Sequence, residues 1–352
     1  MRMPWPIENT FELLRADAPD ELTPGDSLAR MQAHLKRLPP GSSSYFLECR
    51  LAKDDDRVDF GACFRSPLDS ATAPAGKPGF AAPSGNRPED KAWEPVNRAF
   101  SLWASRTSGL RNRVPYIWIE MDQAGPQPGA AVPGFLFCVD PSLARVPERF
   151  QAGPDGRKDL LAIAREIEKA LFGSGLPAGC GKTLWDCLTA LPAEGRILHI
   201  SAMPSRSPAA LKLNICMPKK ALFGFLRRIR WPGSPAELEK LWEAFHPFMS
   251  CAKIDLEISA GVSPRLGLEL HPYNTPRTAR KAALLRLARS GSAQPRKARA
   301  LAAWCGNVTR MFPGHRWPTH MVKEFGLKLV FAETRPLQAK GYLGYYPIFS
   351  LR

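Results

Sequence analysis

Residues 252–271 read AKIDLEISAGVSPRLGLELH, and the fold follows from how this stretch alternates. Ile254, Leu256 and Ile258 point one way, while Lys253, Asp255 and Glu257 point the other. Past the turn Ala-Gly-Val-Ser, Leu266, Leu268 and Leu270 oppose Arg265, Gly267, Glu269 and His271. A period of two gives each strand one apolar and one polar face. Two such runs joined by a Gly-containing turn predict a hairpin, 252–258 with 265–271.

The same pattern recurs outward along the chain. It predicts four more pairs: 45–51 with 58–65, 116–121 with 135–140, 197–202 with 211–217, and 327–332 with 340–346. In the first strand Tyr45, Leu47, Cys49 and Leu51 oppose Phe46, Glu48 and Arg50. In the last, Leu343 and Tyr345 oppose Lys340, Tyr342, Gly344 and Tyr346. Between the pairs lie apolar stripes at helical spacing, as in Leu160, Ile163, Ile167 and Leu171. Helices are predicted near 28–38, 90–105, 160–171, 184–191, 219–229, 236–245, 278–289 and 295–304. The Pro/Gly/Ala/Ser-rich stretch 66–88 is predicted to be a mobile loop.

An apolar helix stripe should cover the apolar face of the strands. The polar face must then point away from the helices. A flat sheet would show it to water, whereas a closed barrel of ten strands would enclose it as a lumen wide enough for a ligand. Tyrosines, a tryptophan and glycines accompany the charges on that face, which favours the lumen. Gly61, Gly267 and Gly344 are predicted to leave room for a ligand at the wall. The expected fold is therefore α+β, a single domain over 1–352. It is a ten-stranded antiparallel β-barrel of five α-β-β-α repeats with helices outside.

The net charge of +16 favours a polyanionic partner. The eight cysteines form no CxxC pair and no metal-ligand spacing, so reduced thiols and a cytoplasmic location are expected. The opening MRMPWPIENT lacks the apolar segment of a secretory signal. No run approaches the ~18 apolar residues of a membrane span, so no membrane partner is expected.

The repeat architecture over about 27–348, with the strands LKLNI, PRLGLEL, LKLVF and AKGYLGYYP, resembles the ABBA-type prenyltransferases, the PT-barrel family. Lys340 and Tyr342, at i and i+2, look like the Lys-x-Tyr strands of its fungal indole and peptide (cyanobactin-type) branches. The resemblance implies transfer of a dimethylallyl or longer isoprenyl group from an allylic diphosphate. The acceptor would be a nucleophilic, aromatic side chain of a peptide, as in modification of ribosomally made peptides, or a small aromatic molecule. Arg50, Arg65, Lys212, Lys253, Arg265, Lys328 and Lys340 share the polar face and would bind the diphosphate. Trp118, Tyr342 and Tyr346, joined by Tyr116, would shield the allylic cation. Glu48 would take the proton that the acceptor loses, with Glu120 and His199 as the next candidates. No metal site is expected and no cofactor is required, with Mg2+ left open as a helper.

Two motifs point elsewhere and are discounted. Asp55-Asp56-Arg57-Val58-Asp59 spells DDxxD, but in a hairpin turn rather than on a helix. Gly179-Cys180-Gly181-Lys182-Thr183 ends like a P-loop, but no strand precedes it. The competing function is a non-enzymatic nucleic-acid-binding protein. It would use the basic stretch 277–299, with Arg280, Lys281, Arg286, Arg289, Arg296, Lys297 and Arg299. No recognition motif or stacking aromatic interleaves these residues, so a nucleic-acid partner is not expected.

Overall fold

The computed structural model describes residues 7–25, 27–35, 38, 42, 44–65, 88–105, 107–122, 133–140, 154–173, 178–202, 210–272, 274–311, 318–333 and 335–348. The expected loop lies almost entirely, at 66–87, outside the described residues.

The strands are β1 (Ser44–Arg50), β2 (Val58–Arg65), β3 (Tyr116–Met121), β4 (Gly134–Cys138), β5 (Arg196–Ala202), β6 (Leu211–Met217), β7 (Ala252–Ile258), β8 (Val262–Leu270), β9 (Gly306–Arg310), β10 (Thr319–Ala332) and β11 (Arg335–Ile348). β1 to β8 pair in chain order, β8 pairs with β10, β10 with β11, and β11 returns to β1. All pairings are antiparallel, and these ten strands close a barrel. The strand β9 was not foreseen. It pairs only with the first half of β10, Thr319 to Lys323, before β10 reaches β8 at Leu327.

The apolar face of each strand is the outer one. Leu47, Phe60, Ile117, Leu213, Ile254, Leu268, Leu329 and Leu343 are buried in one core with the helices. Ten α-helices are described: α1 (Ile7–Asp17), α2 (Ser27–Leu35), α3 (Pro88–Ala104), α4 (Leu110–Arg113), α5 (Pro154–Phe172), α6 (Cys180–Ala190), α7 (Leu222–Arg228), α8 (Pro235–Phe245), α9 (Arg277–Arg289) and α10 (Pro295–Ala303). α1 was not read from the sequence, yet its Phe11 packs edge-on against Phe60, with ring centroids 5.4 Å apart. α8 starts where the sequence stops it from starting earlier. Pro235 opens the first turn, and the Ser234 hydroxyl accepts the Glu237 amide at 3.3 Å.

One contact ties a helix to a hairpin turn. Lys297 on α10, 1% exposed, donates to the carbonyls of Asp55 at 2.8 Å, Ala52 at 3.1 Å and Arg50 at 3.3 Å. It also reaches the Asp56 carboxylate at 3.0 Å. The DDxxD string is therefore a clamped turn. Asp55 pairs with Arg57, Asp56 with Lys297, and Asp59 faces inward on β2. The Gly179 motif is a helix start, with Gly179 at φ +93° capping α6 and Lys182 paired with Asp186 at the surface.

Candidate active site

Closure sets side chains from distant strands on one rung. In register, Arg50 on β1 faces Lys340 on β11, Lys340 faces Lys328 on β10, and Lys328 faces Glu269 on β8. Nearly 300 residues of sequence separate the ends of β1 and β11, and only the closed sheet brings them together.

Glu48 is the centre of the first cluster. Its Oε1 accepts from Arg50 Nη1 at 2.7 Å and from Lys340 Nζ at 2.5 Å, and its Oε2 accepts the Tyr342 hydroxyl. A carboxylate has about four lone-pair sites, so one remains for a further donor. Burial alone would push the Glu48 carboxyl up, but Lys340, Arg50 and Lys328 outweigh it and hold it well below the usual range. Burial likewise lowers Lys340, with Arg50 and Lys328 adding to the shift and Glu48 opposing it.

The second cluster is centred on Asp255. Its Oδ1 accepts Asn214 Nδ2 at 2.5 Å. Its Oδ2 accepts Lys328 and lies 3.8 Å from Lys212 Nζ. Glu269 holds Lys253 at 2.6 Å and Lys328 at 3.3 Å. Desolvation lowers the Lys328 ammonium, but Asp255, Glu269 and Glu48 more than offset it, so the group stays charged.

Around these clusters the lumen holds a pocket lined almost wholly by charged side chains. Lys212, Arg265, Lys328 and Lys340 line it, as do Glu48, Glu120, Asp255 and Glu257. Four of the seven expected diphosphate ligands thus converge on one space. The other three are placed elsewhere. Arg50 is buried, with one guanidinium nitrogen on Glu48 and the other on Asp59 at 2.5 Å, so its fork is already used. Lys253 is buried against Glu269 and lies outside the cavity lining. Arg65 is exposed and sits in register with Tyr116. Six residues along β2 separate it from Asp59, which is roughly 20 Å of strand.

The aromatic residues divide in the same way. Phe46 packs between Trp118, tilted at 50°, and Tyr342, edge-on at 73°, with ring centroids at 5.2 Å and 5.4 Å. These three rings from β1, β3 and β11 form a shelf beside Glu48. Tyr346 does not join it. It is 36% exposed and pairs with Val322, on the part of β10 that runs past β8. Tyr116 lies 6.2 Å from the His199 ring. His199 is half-buried by exposure and pushed down to about 4, by desolvation first and then by Lys253, so it is neutral near pH 7. Its Nε2 has no hydrogen-bond partner among the described residues.

Phe46, Asp59, Asn214 and Asp255 were missed as site residues. The signal was present, because each alternates onto the polar face, but alternation alone does not tell which of the residues there meet across strands. The glycines also act differently from expectation. A Cβ at Gly61 would lie 2.1 Å from the Phe46 ring, and one at Gly267 would lie 2.8 Å from Lys328 Cε. Both spaces are filled by this chain's own side chains.

Glu48, Asp59 and Glu120 bring carboxylate oxygens within 4.8 Å of one another. They do not fit a divalent ion as they stand, since Arg50 bridges two of them and Lys340 already neutralises Glu48. Asp59 instead is raised to about 7, by burial and then Glu48, with Arg50 opposing and Asp122 and Glu120 adding. The basic stretch 277–299 is not a uniform face either. Arg280 is 2% exposed and pairs with Glu324 at 2.6 Å, and Lys297 is the buried clamp. Among the described residues, no helix is long and apolar enough to cross a membrane.

Comparison with known proteins agrees with this architecture. The 6-dimethylallyltryptophan synthase from Micromonospora olivasterospora, solved in complex with DMASPP and Trp, aligns over 96% of this chain and 97% of its own. It shows 12% identity and a TM-score of 0.55. The 5-dimethylallyltryptophan synthase from Streptomyces coelicolor aligns over 96% and 90% at 14% identity, with a TM-score of 0.48. AnaPT from Neosartorya fischeri aligns over 95% and 91% at 15% identity, also with a TM-score of 0.48. The chain has the PT-barrel fold of the ABBA-type prenyltransferases. No protein-family profile and no curated protein sequence matches it.

Proposed function

We propose that the protein is a prenyltransferase that moves a dimethylallyl or longer isoprenyl group from an allylic diphosphate to an aromatic acceptor. The acceptor is the aromatic side chain of a peptide or a small aromatic molecule. The observation that carries this reading is Glu48, held ionised between Arg50, Lys340 and Tyr342, with the Tyr342 ring against Phe46 on one side and a pocket that Lys212, Arg265 and Lys328 also line on the other.

The chemistry assigns each group a task. The allylic C–O bond breaks and its electron pair leaves with the diphosphate, whose growing charge Lys212, Arg265, Lys328 and Lys340 neutralise. Phe46, Trp118 and Tyr342 face the cation, each ring contributing about 0.5–2 kcal/mol. The acceptor supplies the electron pair for the new bond and gives its proton to Glu48. Donor binding also tunes the base. A phosphate that draws Lys340 away from Glu48 removes the largest charge holding that carboxyl down. Glu48 then gains basicity when the donor is in place.

Incubation with dimethylallyl or geranyl diphosphate and a panel of tryptophan, indoles and aromatic peptides, read by mass, tests the proposal. One acceptor should gain an isoprenyl mass. No gain with any acceptor, together with no donor binding, overturns it. Replacing Glu48 with Gln should lower turnover by about 10²–10⁴-fold with donor affinity retained.

A further inference from the structure

Two thiols outside the proposed chemistry lie against each other. Cys216, near the end of β6, and Cys251, just before β7, have their sulfurs 2.9 Å apart. All eight cysteines are free, so this is a dithiol rather than a bond. A disulfide needs its sulfurs at about 2.05 Å, and thiols already in contact reach that spacing with little movement. The two positions are 35 residues apart, Cys216 on β6 and Cys251 immediately before β7, the strand that pairs with β6.

The surroundings differ for the two sulfurs. Cys216 is 7% exposed, while Cys251 is partly open. The Cys216 hydrogen bond lowers the Cys251 thiol to about 6, against burial, and Asn274, Ser250 and Lys253 add to it. Its thiolate is thus populated at neutral pH, which is the form that attacks a disulfide. The same hydrogen bond and burial raise Cys216. By contrast, Cys49, Cys138 and Cys187 are all pushed up to about 12 or beyond, mainly by burial.

We propose that Cys216 and Cys251 are a reversible dithiol–disulfide site that takes small-molecule disulfides of the oxidised-glutathione class. Cys251 is the entry thiol and Cys216 the resolving thiol. The Cys251 thiolate attacks one sulfur of the small disulfide, whose S–S bond breaks and releases one thiolate. The Cys216 thiol then gives up its proton to solvent, and its sulfur attacks Cys251 Sγ and expels the second thiolate. Two protein thiols are oxidised, and one small disulfide is reduced to two thiols. The site touches the lumen through Lys253, which faces Cys216 in register and holds Glu269.

The test is exposure of the folded full-length chain to oxidised glutathione at pH 7, then unfolding, alkylation of remaining thiols and peptide mass mapping. The expected product is a cross-linked pair of peptides carrying Cys216 and Cys251, reversed by reductant, with the other six cysteines alkylated. In Cys216→Ser, a stable glutathione adduct should collect on Cys251. Alkylation of both residues after oxidation, or an adduct on Cys251 that persists in the unmodified chain, would overturn the assignment. Labelling of Cys251 in Cys216→Ser no faster than that of Cys305 would do the same.

Discussion

Two buried lysines sit on opposite sides of the barrel wall and differ in what holds them. Lys297, outside, donates to three backbone carbonyls at and beside the first hairpin turn, with one exposed carboxylate, that of Asp56, as a fourth partner. Lys328, inside, is held by the carboxylates of Asp255 and Glu269. Burial does not distinguish them, at 1% and 7% exposure. Partner chemistry does. One ammonium ties α10 to three carbonyls around a single turn, so Lys297 is part of the frame. Carboxylates that share several lysines can lose one to an incoming anion, so Lys328 is available for binding.

That contrast is best broken at Lys297 first. Lys297→Met removes the donor shared by the Arg50, Ala52 and Asp55 carbonyls, the first of them buried, together with the partner of Asp56, and should cost about 3 kcal/mol of stability, measured by denaturant unfolding. Donor affinity in the folded fraction should be unchanged. Lys328→Met should behave in the opposite way. Donor affinity should fall about 100-fold by calorimetry. Stability should fall less than for Lys297→Met, because Asp255 keeps Asn214 and Lys212, and Glu269 keeps Lys253. Equal destabilisation by both variants would erase the distinction.

A third change probes the aromatic shelf. Gly61→Ala drives a methyl into the Phe46 ring and should cost about 2 kcal/mol, with turnover falling as Phe46 leaves Trp118 and Tyr342. The gentlest test is pH. Asp59 is raised in the folded chain from an ordinary 3.8 to about 7, so the folded state binds its proton more tightly than the unfolded state. The stability this contributes is complete below about 3.8 and is lost as pH rises through about 7. Glu48 works with the opposite sign, since its lowered carboxyl contributes stability above about 4.5 that is lost as pH falls. Asp59→Asn should flatten the decline between those pH values, as followed by thermal melting.

The barrel was legible because alternation survives in most of its strands, and Leu213, Leu268 and Leu343 mark the outer face without structural help. The strand β9 was not legible, since Gly-Asn-Val-Thr-Arg carries no apolar stripe and is partly exposed along its length. The first half of β10 hides for a similar reason, with His320, Lys323 and Glu324 among its apolar residues. Within the site, a period of two tells which face a residue takes but not its height along the barrel. Lys340 and Tyr346 share a face, yet the first lines the cavity and the second is exposed near the end of its strand. Register fixes height, and it belongs to pairs of strands. For the same reason the partners Asp59 and Asp255 could not be assigned to Arg50 and Lys328 from one strand's pattern alone.

On this account the lumen lysines hold an allylic diphosphate. Titration calorimetry with an unreactive allylic thiodiphosphate, on the unmodified chain and on Lys328→Met, tests it most directly. One site per chain, weakened about 100-fold by the substitution, is the expected result. No binding to the unmodified chain, or equal binding to both, would contradict it.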